Sequence, residues 1–443
     1  MRTRSILMAG SAVAVAAAGV ALAYAWHSEI APIPKPTAAS FDTALVRQGA
    51  TLALIGDCRT CHTTPGGRVF AGGLAMPTPF GTLYSTNITP DPETGIGTWS
   101  EDAFKRAMRE GVDREGRHLY PAFPYDHFTL TSDEDIKALY AFFMSREPVK
   151  AKAPANELPF PINIRLVLAG WKLLFLRETR LQPDPLKDAV WNRGRYLVEG
   201  LGHCGACHTP RNLMGAEKKS RAYEGGEAEG LHAYALGKAS QAPVPWNAAA
   251  YEQYLAEGFH PQHGVARGPM APVVENLASV PREEVAAMAT YLASLAPEAV
   301  GQAKTTGPSQ TVASPPSPPQ SAGVQTATPA ATSQQGSRLY ATTCASCHDA
   351  GRPQPLGAIN LSLSTAVAGE SPENLVNLIL DGIPAASGAT GPVMPGFATT
   401  LSDRQITDIA AHLRAAAGKP VWPNLGATIS SARSARQTQQ AKR

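Results

Sequence analysis

Six cysteines in a chain of 443 residues fall into three pairs, Cys58/Cys61, Cys204/Cys207 and Cys344/Cys347. Each pair is followed at once by a histidine, giving CRTCH, CGACH and CASCH, and no cysteine is left over. Two thiols three positions apart lie on one helical turn, and the adjacent imidazole completes the pattern for c-type haem attachment. The thiols add to the two vinyl groups, and His62, His208 or His348 is placed to bind iron from one side. Other chemistries fit less well. Structural zinc needs four ligands, and each triplet supplies three. Disulfides leave the histidines without a role. A thiol oxidoreductase needs a thioredoxin-like βαβ context, and no such pattern surrounds these pairs. The expected cofactor set is three covalently bound haem c groups held by Cys58, Cys61, Cys204, Cys207, Cys344 and Cys347.

Each motif heads a unit with a similar plan. A helical pattern precedes it, a Gly/Pro-rich middle comes next, and amphipathic segments such as SEDAFKRAMREGV and PREEVAAMATYLASL close it. Repetition of this kind predicts an all-α chain of three tandem cytochrome c domains, at 43–148, 185–297 and 336–418. Units of this size bury little apolar surface alone, so a flat apolar haem would also hold each one together.

The segments between and around the units have their own character. Residues 1–30 carry Arg2 and Arg4 ahead of an almost unbroken apolar run from 6 to 26. That run reads as a cleaved signal peptide or as an N-terminal membrane anchor, and both export the remainder of the chain. Residues 149–184 form an apolar connector with scattered arginines, either packed on a domain or lying on a membrane or partner. Residues 301–335 are rich in Pro, Ser and Thr, as expected of a flexible tether. Residues 419–443 read as a tail. The formal charge of only +3 gives no electrostatic case for nucleic-acid binding.

The opposite axial ligand is expected from the loop ahead of each terminal helix. Met270 in RGPMAPVV and Met394 in GPVMPGF fit that place for the second and third haems. In the first unit the loop reads YPAFPYDHF, with Phe123 at its centre. A phenyl ring cannot ligate iron. His127, just past the stiff turn, is the favoured substitute, with His118 and Met108 as alternatives and Met76 a weaker one. On this reading haem one is bis-histidine and has the lowest potential of the three. His260 and His263, near Met270, are surface loop residues or neighbours of haem two. No dinucleotide fingerprint or catalytic constellation is present, so the expected role is electron relay rather than substrate oxidation.

The stretch AGGLAMPTPFGTLYSTNITPDPETGIGTWSEDAFKRAMREGV, together with DIKALYAFFM and GHCGACHTPRN, resembles the three-haem cytochrome c subunits of membrane-bound periplasmic dehydrogenases. YPAFPYDHF, LPFPINIR and GFHPQHGVARGPMAPV look closer to the cytochrome partners of molybdenum hydroxylases, which include aldehyde, nicotinate and isoquinoline dehydrogenases. Partners of pyrroloquinoline-quinone alcohol dehydrogenases carry methionine where this chain has Phe123. The resemblance implies a complex with a molybdopterin catalytic subunit and a small [2Fe-2S] subunit. It also implies electron delivery to ubiquinone or a terminal cytochrome on the periplasmic side of the bacterial inner membrane. A cytochrome subunit for an alcohol dehydrogenase or a flavin-dependent sugar dehydrogenase, or a free-standing multihaem carrier, remains the alternative.

Overall fold

The computed structural model describes residues 16, 19–20, 22–296, 331–349, 358–384 and 393–441. Most of the N-terminal apolar run and most of the Pro/Ser/Thr-rich tether lie outside the described residues. No helix among the described residues is long and apolar enough to cross a membrane.

Two compact units account for the chain. The first takes residues up to 229 with 247–258 and 266–293. It contains α1 (Thr43–Ile55), α2 (Glu101–Glu110), α3 (Tyr125–Phe128), α4 (Asp133–Met144), α5 (Leu168–Phe175), α6 (Ala189–Tyr196), α7 (Ala248–Glu257), α8 (Met270–Leu277) and α9 (Arg282–Ser294). The second takes 230–246, 259–265 and everything from 294 onwards. Its helices include α10 (Ala331–Thr343), α11 (Glu373–Asp381) and α12 (Asp403–Ala416). Residues 230–246 and 259–265, which repeat analysis gives to the middle domain, thus belong with the C-terminal unit. Asn374 explains part of this: its side chain accepts from His232 N at 3.0 Å and donates to His232 O at 2.8 Å. The all-helical expectation needs one amendment, since short antiparallel hairpins interrupt the helices. One pairs β1 (Ala75–Thr78) with β2 (Gly81–Tyr84), and another pairs β3 (Phe259–His260) with β4 (Gly264–Val265).

Helix starts follow the sequence closely. Ser100 accepts from Ala103 N, Ser132 from Asp135 N and Asn247 from Ala250 N, while Ser402 and Gln405 form a full capping box.

One helix crossing occurs three times. A glycine ahead of each cysteine pair lets the leading helix press on the backbone of the terminal helix. A Cβ on Gly49 would lie 2.0 Å from Ala138 O, one on Gly194 1.9 Å from Ala287 O, and one on Gly336 2.1 Å from Asp408 O. Real Cβ atoms cannot come that close, so only glycine permits each crossing. Four residues after each contact a second Cβ closes on the same point, from Phe142 at 2.7 Å, Tyr291 at 3.0 Å and His412 at 3.0 Å. Around the first crossing lies a core with Leu52, Phe70, Phe104, Met108, Phe128, Leu139 and Phe143. Around the third lies another with Val376, Leu380, Ile406, Ile409 and Leu413.

The apolar connector resolves into two faces. Leu168, Ala169 and Trp171 of α5 are buried, and Trp171 Nε1 donates to Met214 O at 3.0 Å. Leu173 and Leu174 on the opposite side are 59% and 55% exposed, and Phe160 just ahead is 79% exposed.

Candidate functional site

The three cysteine pairs share one local geometry. The backbone N–H of each following histidine donates to the carbonyl of the first cysteine: His62 to Cys58 at 3.1 Å, His208 to Cys204 at 3.0 Å and His348 to Cys344 at 3.0 Å. The six cysteines form no disulfide. Burial pushes the Cys58 and Cys204 thiols up to about 12 and those of Cys61 and Cys344 up to about 11. Such thiols carry almost no thiolate, which disfavours exposed redox exchange, while thioether formation removes their titration altogether.

The imidazoles are oriented from behind. His62 Nδ1 lies 2.6 Å from Thr86 O, and His348 Nδ1 lies 2.8 Å from Ile359 O. A carbonyl can only accept, so Nδ1 carries the proton and Nε2 keeps its lone pair. That is the arrangement a metal-binding imidazole requires, with its second nitrogen fixed by an outer partner. The donor set therefore fits haem c. His62 and His348 present an oriented Nε2 beside a turn that offers two thiols.

A register not noticed in the sequence fixes the opposite side. The helices α2, α7 and α11 each end on a glycine with positive φ, Gly111 (60°), Gly258 (71°) and Gly382 (66°), of which the first two are left-handed helical and Gly382 is extended in ψ. A small bridge follows each one, at Val112/His118, Phe259/Val265 and Ile383/Met394. Phe123, Met270 and Met394 each stand twelve residues after their glycine. In the first two cases the same hydrogen bond closes the loop, Leu119 N to Gly111 O at 2.7 Å and Ala266 N to Gly258 O at 2.8 Å. Phe123 and Met270 are thus equivalent, each half-buried and five residues past its bridge, while Met394 shares the twelve-residue spacing and half-burial but is itself the bridge partner of Ile383.

The expected substitutes for Phe123 have other partners in this structure. His127 has both nitrogens committed: Nδ1 to Glu199 O at 2.7 Å and Nε2 to Glu217 Oε1 at 2.5 Å. Burial opposes charge on His127, yet the hydrogen bond and charge of Glu217 raise its pKa overall. Burial likewise disfavours the Glu217 carboxylate, but His127 and Lys219 hold it at about 2. This is a buried ion pair, not a free imidazole. His118 is committed too. Its Nε2–H donates to Ala25 O at 2.8 Å and its Nδ1 accepts from Lys172 Nζ at 2.9 Å. Burial, then the Lys172 charge, push His118 down to about 4. Met108 occupies the place three residues before Gly111, where the other repeats have Leu255 and Ile379. All three are buried, at 6%, 5% and 6% exposure, so Met108 serves as a core residue. Met76 sits opposite Leu83 in the β1–β2 hairpin.

His260 and His263 also differ from the surface reading. His260 is buried, and the His263 ring stacks on Trp246 with centroids 3.6 Å apart.

Glu217, Asp57 and Asn276 were not singled out by sequence reasoning. Asp57 stands one residue before Cys58, and His203 one residue before Cys204; both have positive φ, at 50° and 38°. Their surroundings are reciprocal. Asp57 meets Asn276 of α8, and the His203 ring meets Phe128 of α3 edge-on at 5.6 Å. Each thus lies against the helix that begins at Met270 or just after Phe123 in the other repeat.

Comparison with known proteins places these features in context. Residues 331–413 match the family described as cytochrome C oxidase, cbb3-type, subunit III. The chain is 46% identical over 419 residues to a nicotinate dehydrogenase subunit of Pseudomonas putida, covering 94% of this chain and 34% of that protein. It thus spans about a third of that relative's length. Identity is 38% to the gluconate 2-dehydrogenase cytochrome c subunit of Pantoea cypripedii, covering 85% of this chain and 86% of that one. It is 35% to the cytochrome c subunit of the quinone alcohol dehydrogenase of Gluconacetobacter polyoxogenes, covering 85% and 81%.

Proposed function

The chain belongs to the family of cytochrome c subunits of dehydrogenases, and from that premise we propose that it is the tri-haem electron-transfer subunit of a membrane-bound dehydrogenase of the molybdenum-hydroxylase type. A cytochrome c domain implies covalently bound haem c. The observation that carries a count of three is the repeated geometry at Cys58–His62, Cys204–His208 and Cys344–His348. Proximal ligation falls to His62, His208 and His348, and distal ligation of the second and third haems to Met270 and Met394. Bound haem supplies one-electron chemistry. The chain's own part is to orient His62 through Thr86 O and His348 through Ile359 O.

The partners in this reading are a molybdopterin catalytic subunit and a small [2Fe-2S] subunit, with ubiquinone or a terminal cytochrome as acceptor. Support comes from the length and identity of the match to the nicotinate dehydrogenase protein. A place on the periplasmic side of the inner membrane is supported by Arg2, Arg4 and the apolar run behind them, and by the exposed Leu173 and Leu174 of α5. Two measurements test the proposal. The denatured chain should retain three covalent haems. Metal analysis of the purified complex should find molybdenum and iron beyond the haem content, whereas calcium with pyrroloquinoline quinone would move the chain to the alcohol dehydrogenase partners.

A further inference from the structure

Phe123 stands where its sister repeats carry Met270 and Met394, twelve residues past a helix-ending glycine of positive φ in all three. Its ring contacts Phe128 edge-on with centroids 5.2 Å apart and packs on the core that also holds Met108 and Cys58. His127, His118 and Met108, the substitutes named above, each have another occupation. His127 is bonded to Glu199 O and Glu217, and His118 to Ala25 O and Lys172. Met108 fills the place of Leu255 and Ile379, residues that cannot ligate.

His203 is the remaining imidazole near this row of rings. Its Nδ1 lies 2.9 Å from Leu201 O, which leaves Nε2 as the lone-pair nitrogen. Its counterpart argues against ligation, however. Asp57 occupies the same position ahead of its own cysteine pair and meets α8 at Asn276, six residues beyond Met270. His203 correspondingly meets α3 at Phe128, five residues beyond Phe123. Both residues therefore lie beside the helix after the distal position, not at the position itself.

We propose that haem one has no protein ligand on its distal side and that its ferrous iron binds a small neutral diatomic molecule, carbon monoxide or nitric oxide, beside Phe123. The proposal rests on the three-haem reading above. The Phe123 ring, with Phe128 and Met108 beside it, is apolar, and such a surface favours an uncharged ligand over a bound anion. The first repeat then differs in kind from the other two, where a thioether closes the iron.

The experiment uses the full-length protein in mild detergent, reduced with dithionite and titrated with carbon monoxide. Covalent haem is first counted on the denatured chain, so that failure of the three-haem reading is seen separately. With three haems present, about one third of the haem should form the carbon monoxide adduct. Phe123→Met should abolish that uptake and add methionine–iron absorption in the ferric protein. Phe123→Leu, which supplies no ligand, should keep it. A protein that carries three haems, all low-spin and indifferent to carbon monoxide, overturns the proposal. So does uptake seen only in His203→Ala or His127→Ala, because that would reveal the ligand the variant removed.

Discussion

The carboxylate of Asp57 accepts a hydrogen bond from the side-chain amide of Asn276 at 2.5 Å, across 219 residues of sequence. The bond joins the residue just ahead of the first cysteine pair to the helix that opens with Met270. On the three-haem reading it ties the attachment turn of one haem to the helix that would ligate the next.

Burial raises the Asp57 pKa from 3.8 to about 6 despite hydrogen bonds from Thr60 and Asn276 that pull it down. The folded protein thus holds a proton that the unfolded chain releases sooner, and stability falls as pH rises from 3.8 to about 6. Asp57→Asn should remove that decline. Denaturant unfolding at several pH values should show wild type losing up to about 3 kcal/mol more than the variant across the window. Parallel curves would mean that Asp57 does not titrate there.

The His127–Glu217 pair has the opposite sign on each side. Glu217 contributes above its unfolded value of 4.5 and loses that contribution as pH falls towards about 2. His127, raised from 6.5, contributes fully below that value and loses its contribution as pH rises through the folded pKa. His127→Ala should cost about 3 kcal/mol between these limits and less at alkaline pH, with haem spectra unchanged. Altered haem-one spectra would restore His127 as an iron ligand.

The glycine crossings give a steric test. Gly49→Val places a side chain on Ala138 O and should cost about 3 kcal/mol in thermal or denaturant unfolding. Gly170→Ala in α5 is the control, because its Cβ meets nothing within 4 Å. It should be neutral or stabilise by up to about 1 kcal/mol. Equal effects would mean that the Gly49 crossing relaxes without cost.

Membrane contact through α5 is testable without disturbing its packed face. A Leu173→Asp, Leu174→Asp variant should bind anionic vesicles at least about tenfold more weakly, with its absorption spectrum unchanged. Undiminished binding would leave the N-terminal run to account for all attachment.

Much of the architecture was legible in the sequence because its causes are local. A cysteine pair and its histidine occupy one turn, and the caps at Ser100, Ser132 and Ser402 act within three residues. The fate of His127 was not legible, because Glu217 lies 90 residues away, and that of His118 depends on Ala25, 93 residues away. An imidazole's spacing from a cysteine pair says nothing about which partner reaches it first. The twelve-residue register was present in the sequence as REGV, AEGF and LDGI ahead of Phe123, Met270 and Met394. It became readable only when the three glycines were seen to end their helices with positive φ.

That shared spacing separates the residue at the twelfth position from the architecture that presents it. The helix and its glycine fix a position, and a single codon decides what stands there. On the three-haem reading, exchanging thioether for phenyl alters the coordination of one iron without a new loop, insertion or helix. A chain built this way can diversify its irons one at a time.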